Sequence, residues 1–203
     1  MKRTRAEMRA DLMCQAEVLV DELLDWNEQT SEPTLTQIEE VVLKLRRRLS
    51  EQMALAVIES QEATRPVPSP RCPTCQVEMH YKDMKENTVE SRAGQLTLNR
   101  GYYYCETCRT GLFPLDHQLQ VWDMHWSEQV AKFAVWLSGL MEYEEAERVL
   151  NRVGQMSLSD SSIWRRAQKW GESFKAVEAA QRATAMAVPA RGSVIRGEAR
   201  QQP

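Results

Sequence analysis

Cys72-Pro73-Thr74-Cys75 and Cys105-Glu106-Thr107-Cys108, with 29 residues between them, are the two stretches on which the reading of this chain turns. Two residues between paired cysteines let one tight turn aim two thiolates at a single ion, and a second such turn completes a tetrahedron. The expected ligand set is Cys72, Cys75, Cys105 and Cys108, holding one structural Zn²⁺ with no open coordination position. Four thiolates also suit an iron–sulfur cluster, but zinc is the favoured occupant. A redox dithiol needs one such pair in a βαβ setting, which is absent. Nothing in the sequence marks secretion, which disfavours disulfides. Zinc binding is worth about 10–16 kcal/mol in finger peptides, so a ribbon poor in large apolar side chains is expected to fold around its metal.

Outward from the knuckles, the insert alternates apolar and polar residues. Val77-Glu78-Met79-His80-Tyr81 and Gln95-Leu96-Thr97-Leu98-Asn99-Arg100 read as strands, Gly94 as a hairpin turn, and Gly101-Tyr102-Tyr103-Tyr104 as the run into the second knuckle. Residues 71–120 are therefore read as a zinc ribbon. Before it, residues 62–70 (EATRPVPSP) place three prolines in five positions and read as an extended linker.

Residues 1–61 read as a helical arm. Leu12, Ala16, Leu19, Leu23 and Trp26 recur at steps of four and three, as do Leu35, Ile38, Val42, Leu45 and Leu49. Thr36-Gln37-Ile38-Glu39 fits a capping box at the start of the second stripe. The arm is read as a helical hairpin, and its 3.5-residue spacing also suits a homodimer through these helices. Arg46-Arg47-Arg48 is read as a solvated face, with a phosphate contact as the alternative. Cys14, the fifth cysteine, is expected to be a partly buried thiol.

Residues 121–188 return to helical periodicity. Ser127 caps a helix bearing Val130, Phe133, Ala134 and Leu137, and a second runs from about Glu142 to Val153. A third opens at Ser159-Asp160 with Ile163, Trp164 and Ala167 inward. The order helix, short turn, polar-capped basic helix is that of a helix-turn-helix. Its expected contacts to double-stranded DNA are Ser161, Ser162, Arg165, Arg166 and Lys169. The formal net charge of −3 does not mark the whole chain as a polyanion binder. Residues 148–182 nonetheless hold seven bases against three acids, so a DNA site belongs there. Trp122, Trp126 and Trp136 are read as packing. Residues 189–203, with Arg191, Arg196 and Arg200, read as a disordered tail.

Together these features resemble the N-terminal region of ISKra-type insertion-sequence transposases. The resemblance rests on Cys72-Pro73-x-Cys75, Gly94-x-Leu96-x-Leu98-x-Arg100, Tyr102-Tyr103-Tyr104-Cys105-x-x-Cys108, and Gly111 followed by Pro114-Leu115-Asp116. Glu145-Ala146, Val149-Leu150, and Ser159 with Ile163 and Arg165 extend it over roughly residues 70–175. It implies a zinc ribbon and helix-turn-helix preceding an RNase H-like core. That core's carboxylate triad carries over to no position here, because residues 176–203 lack its strands. His80, His117 (read as a turn residue) and His125 have no partners at triad spacing, so the chain is not expected to be an enzyme. A separate catalytic chain is an expected partner. No apolar run approaches 18 residues, and the basic N-terminus lacks an apolar core. The expectation is therefore no membrane and a cytoplasmic address, nucleoid-associated if bacterial.

The fold class expected is mainly α with a small β zinc ribbon: an N-terminal helical hairpin, a four-cysteine zinc ribbon and a three-helix helix-turn-helix unit. Its function is expected to be binding of transposon ends or an operator. A protein–protein adaptor whose ribbon and arm engage a catalytic partner is the alternative.

Overall fold

The computed structural model describes residues 3–121 and 125–187, with side chains described to residue 179. Trp122 and the tail 189–203 lie outside the described residues.

Helices α1 (Arg5–Gln29) and α2 (Leu35–Glu59) form an antiparallel hairpin. Both begin with capping boxes: Thr4 with Glu7, and Thr34 with Gln37. The second cap lies two residues before the expected Thr36. Pro33 ends the preceding loop, and Gln37 already supplies the reciprocal bond to the Thr34 amide. Leu19 of α1 and Leu45 of α2 are buried between the helices. Glu22 pairs with Lys44 and Arg48, and Arg3 reaches Glu59 at 3.5 Å. Before Leu45 the second stripe fails as a buried seam: Leu35, Ile38 and Val42 are exposed. Cys14 is also exposed, because it lies off the α1 stripe.

The sheet is a long hairpin with a short third strand. β1 (His80–Ser91) pairs antiparallel with β2 (Gly94–Cys105) from Ser91↔Gly94 to His80↔Tyr104, with a bulge between Tyr81 and Asp83. β3 (Thr110–Leu112) pairs with the end of β2, Tyr103↔Leu112 to Cys105↔Thr110. Val77, expected in the first strand, is exposed in the knuckle before it. Only Arg92 and Ala93 separate the long strands, and Gly94 takes a φ of +126° there, which suits glycine.

Successive strand residues face opposite sides, and this hairpin uses both. Leu96 and Leu98, with Val89 and Val121, pack beneath Ala54, Leu55 and Ile58 of α2. Tyr103 and Cys105, of opposite parity, build a second cluster with Cys72 and Met79. The helical hairpin and the sheet thus share one core. The stretch 62–70 is docked rather than free. Glu62–Thr64 form a 3₁₀ turn, the Tyr103 hydroxyl donates to the Pro66 carbonyl at 3.0 Å, and the Arg65 guanidinium lies 4.5 Å over the Tyr81 ring.

Helix α3 (Pro114–Leu119) crosses β2, held by a buried ion pair between Arg100 and Asp116. His117 therefore lies in a short helix, not a turn. Then α4 (Glu128–Ser138), α5 (Tyr143–Arg152) and α6 (Asp160–Ala187) pack around Val130, Ala134, Leu137, Ala146, Leu150, Leu158 and Ile163. Ser127 caps α4 through the Val130 amide. Trp126 joins this core, whereas Trp136 is 64% exposed. Glu90 and Ser127 tie the unit to β1: the Glu90 amide donates to the His125 carbonyl and its carbonyl accepts from the Ser127 amide. Residues 171–179 of α6 are all exposed, so among the described side chains only the start of this helix is packed. Among the described residues no helix is long and apolar enough to cross a membrane.

Candidate metal centre and basic helix

The first knuckle is closed by its own backbone. The Cys72 amide donates to the Val77 carbonyl at 2.8 Å, and the Gln76 amide returns to the Cys72 carbonyl at 2.9 Å. The residue after each second cysteine adopts the left-handed conformation: Gln76 at φ 62° and Arg109 at φ 54°. The two knuckles are thus local copies of one turn. Neither carries the glycine that would have announced it.

The hairpin register brings the two turns together. The Sγ atoms of Cys72, Cys75, Cys105 and Cys108 all lie within 4.8 Å of one another. Cys75 and Cys105 approach to 3.5 Å, well beyond a disulfide bond, and all four thiols are free. A tetrahedral site with metal–sulfur distances of about 2.3 Å has sulfurs roughly 3.8 Å apart, so the four sulfurs are close enough to share one ion. Cys72 and Cys105 are buried; Cys75 and Cys108 form the outer edge.

The electrostatics also call for a cation. Backbone amides of Cys75 and Thr74 point at the Cys72 sulfur and hold its pKa down to about 6. Cys108 is pushed up to about 12, first by its hydrogen bond to Cys75, then by desolvation and the neighbouring sulfurs. One thiolate forms readily here, whereas four so close together repel unless a cation neutralises them. Tyr103 and Met79 close the cluster from behind, and the Tyr103 ring meets Tyr81 edge-on at 5.6 Å.

The other predicted residues lie on α6. Ser161, Arg165 and Lys169 are exposed and Ser162 is half-buried. The Ser159 hydroxyl accepts from the Ser162 amide at the start of the helix. Arg166 is half-buried: its Nε is sequestered without a hydrogen-bond partner among the described residues, and burial lowers its pKa below the usual arginine value. Trp164, expected inward, is 49% exposed. The inward stripe is Ile163, Ala167 and Trp170, at helical steps of four and three, which turns Trp164 away from it.

Sequence reading missed the polar junction around Glu90. This buried carboxylate lies 3.5 Å from Arg47, which also bonds Glu51 and the Gln155 carbonyl. Burial raises the Glu90 pKa, partly opposed by the Ser157 amide and Arg47. A lone glutamate in a polar stretch gives no sequence signal of this kind. No protein-family model matches the chain, and comparison with curated proteins and with solved structures gives no match either.

Proposed function

We propose that this chain is a DNA-binding protein in which a structural Zn²⁺, held by Cys72, Cys75, Cys105 and Cys108, stiffens a ribbon that braces a helix-turn-helix. Zinc is preferred because a closed, partly buried tetrathiolate suits a borderline-soft ion with no redox role. The observation that carries the DNA reading is the start of α6. Its first turns project Ser161, Arg165 and Lys169 outward while Ile163 is anchored in the core behind them. Arginine reads guanine edges or phosphates through its planar fork, and lysine acts on phosphate as a point charge. The resemblance to ISKra-type transposases suggests a transposon end or an operator as target, with any catalysis supplied by a separate chain.

The test is anisotropy titration of the zinc-loaded chain with duplex DNA across a salt series. If about four cations neutralise phosphates, the log–log slope is roughly −3 to −4. Arg165→Ala with Lys169→Ala should flatten it by about two phosphates. Arg166 is left intact because its substitution also disturbs packing. Binding unchanged by the double substitution would remove α6 from the interface.

A second reading is favoured by the arm. Val20 and Leu24 on α1, and Leu35 and Val42 on α2, are exposed apolar side chains on a hairpin that already has a buried seam. Such surface suits a protein partner: a second copy, as the homodimer reading holds, or a catalytic chain, as an adaptor would need. Light scattering on the isolated chain separates these two, and absence of duplex affinity at near-physiological salt would favour the adaptor.

A further inference from the structure

The triplet Arg46-Arg47-Arg48 is divided by the helix. At about 100° per residue, three successive side chains leave α2 in three directions. Arg48 pairs with Glu22 of α1. Arg47 is fixed by Glu51, Glu90 and the Gln155 carbonyl. Arg46 has no carboxylate within ion-pair distance among the described residues, and it lines a cleft of about 420 Å³.

Three separate elements wall this cleft. α2 contributes Arg46, Arg47 and Ser50; the β1–β2 turn contributes Ser91 and Arg92; the α5–α6 connection contributes Gln155. Phe133 of α4 lies in the wall as well, and the Arg92 guanidinium stands 5.3 Å from its ring centroid. A cation on an aromatic face is held in position while its N–H groups stay available. Arg92, like Arg46, has no ion-pair partner among the described residues. Glu51 is the nearby acid outside the buried junction, and Arg47 already answers it at 3.1 Å. The cleft is therefore lined by two guanidinium groups, from α2 and from the β1–β2 turn, that have no ion-pair partner among the described residues.

We propose that this cleft is a phosphate-binding site, with Arg46 and Arg92 as the two gripping groups and Arg47 as a fixed wall. Guanidinium forks match the oxygens of a phosphate better than any other side chain does. The open side of the cleft admits either a phosphodiester of a nucleic-acid backbone or a free phosphate ester. The same chemistry serves both, and it does not depend on what α6 binds.

The test uses the full zinc-loaded chain, the wild type beside Arg46→Ala with Arg92→Ala. Melting is followed in inorganic phosphate and in chloride at matched ionic strength. For a Kd of about 1 mM, 10 mM phosphate should raise the midpoint by roughly 3–5 °C. The double variant should keep the chloride midpoint and lose the increment. That control also removes the general stabilisation that phosphate gives any protein. No increment in the wild type, or an equal one in the double variant, overturns the site.

Duplex DNA then identifies the source. A salt slope shallower by about 0.9, the share of one phosphate, in the double variant assigns a backbone phosphodiester. An unchanged slope alongside a lost phosphate increment assigns a free phosphate ester. If the chain binds no duplex yet the phosphate increment depends on Arg46 and Arg92, the DNA reading falls and the cleft stands.

Discussion

Removing the Asp116 carboxylate by Asp116→Ala leaves the Arg100 guanidinium stranded between β2 and α3. Both side chains are enclosed, at 12% and 7% exposure. Deleting one member of such a pair costs about 3–5 kcal/mol, because the remaining charge has lost its water and its partner. The Phe113 ring, 3.9 Å from the guanidinium carbon, offsets about 1 kcal/mol of that. The net expectation is a loss of about 2–4 kcal/mol, or a midpoint lower by roughly 5–15 °C for a chain of this size. Arg100→Met combined with Asp116→Leu should recover most of it. Arg100 Nε and Asp116 Oδ1 make no hydrogen bond among the described residues, so an apolar pair removes unsatisfied atoms as well as charge. Urea unfolding of the zinc-loaded chain, followed in parallel by far-ultraviolet circular dichroism and tryptophan fluorescence, measures this. Coincident transitions are needed before a free energy is assigned. A cost below about 1 kcal/mol for Asp116→Ala is the value of a solvated surface pair, and it would refute the buried-pair reasoning.

Cys108→Ser should abolish stoichiometric zinc binding, measured by metal analysis. It should also erase the near-ultraviolet signal of Tyr103 while sparing most far-ultraviolet helicity, because the two helical cores lie apart from the metal cluster; loss of all structure would contradict this. Glu90 binds its proton more tightly in the folded chain than in the unfolded one, so stability falls as pH rises from the ordinary carboxylate value through its raised folded value. Glu90→Gln should then melt higher than the parent at pH 8 and equally at pH 4; a variant weaker at pH 8 would show that the Arg47 contact outweighs burial. Arg109→Gly relieves a left-handed backbone worth about 1–2 kcal/mol but adds about 0.5–1 kcal/mol of chain entropy. Its melting point in excess zinc should rise by about 1–2 °C.

The cysteine cluster was legible because its signal is side-chain chemistry at fixed spacing: four cysteines in two copies of one turn. The helices were legible from periodicity, and Ser127 from its cap. The strand through Lys82–Ser91 was not, since its residues are mostly polar and extended only because β2 pairs with them along their length. The cap at Thr34 rather than Thr36 turned on which of two overlapping patterns the backbone used. Trp136 and Trp164 are exposed although large aromatics suggest packing wherever they occur, because neighbouring positions on a helix differ by about 100°. The separate destinations of Arg46, Arg47 and Arg48 depend on what α1, Glu90 and the α5–α6 turn place nearby, which no local pattern encodes.

Helix α6 has a mechanical consequence. From residue 171 to 187 it extends about 25 Å at 1.5 Å per residue, as a lever whose fulcrum is Ile163. Gly171, with nothing within 4 Å of where a Cβ would stand, sits where the packing stops and is its most compliant point. Force applied at the distal end will bend the rod there before it rotates the basic turns, so stiffening that joint with alanine would couple the two ends.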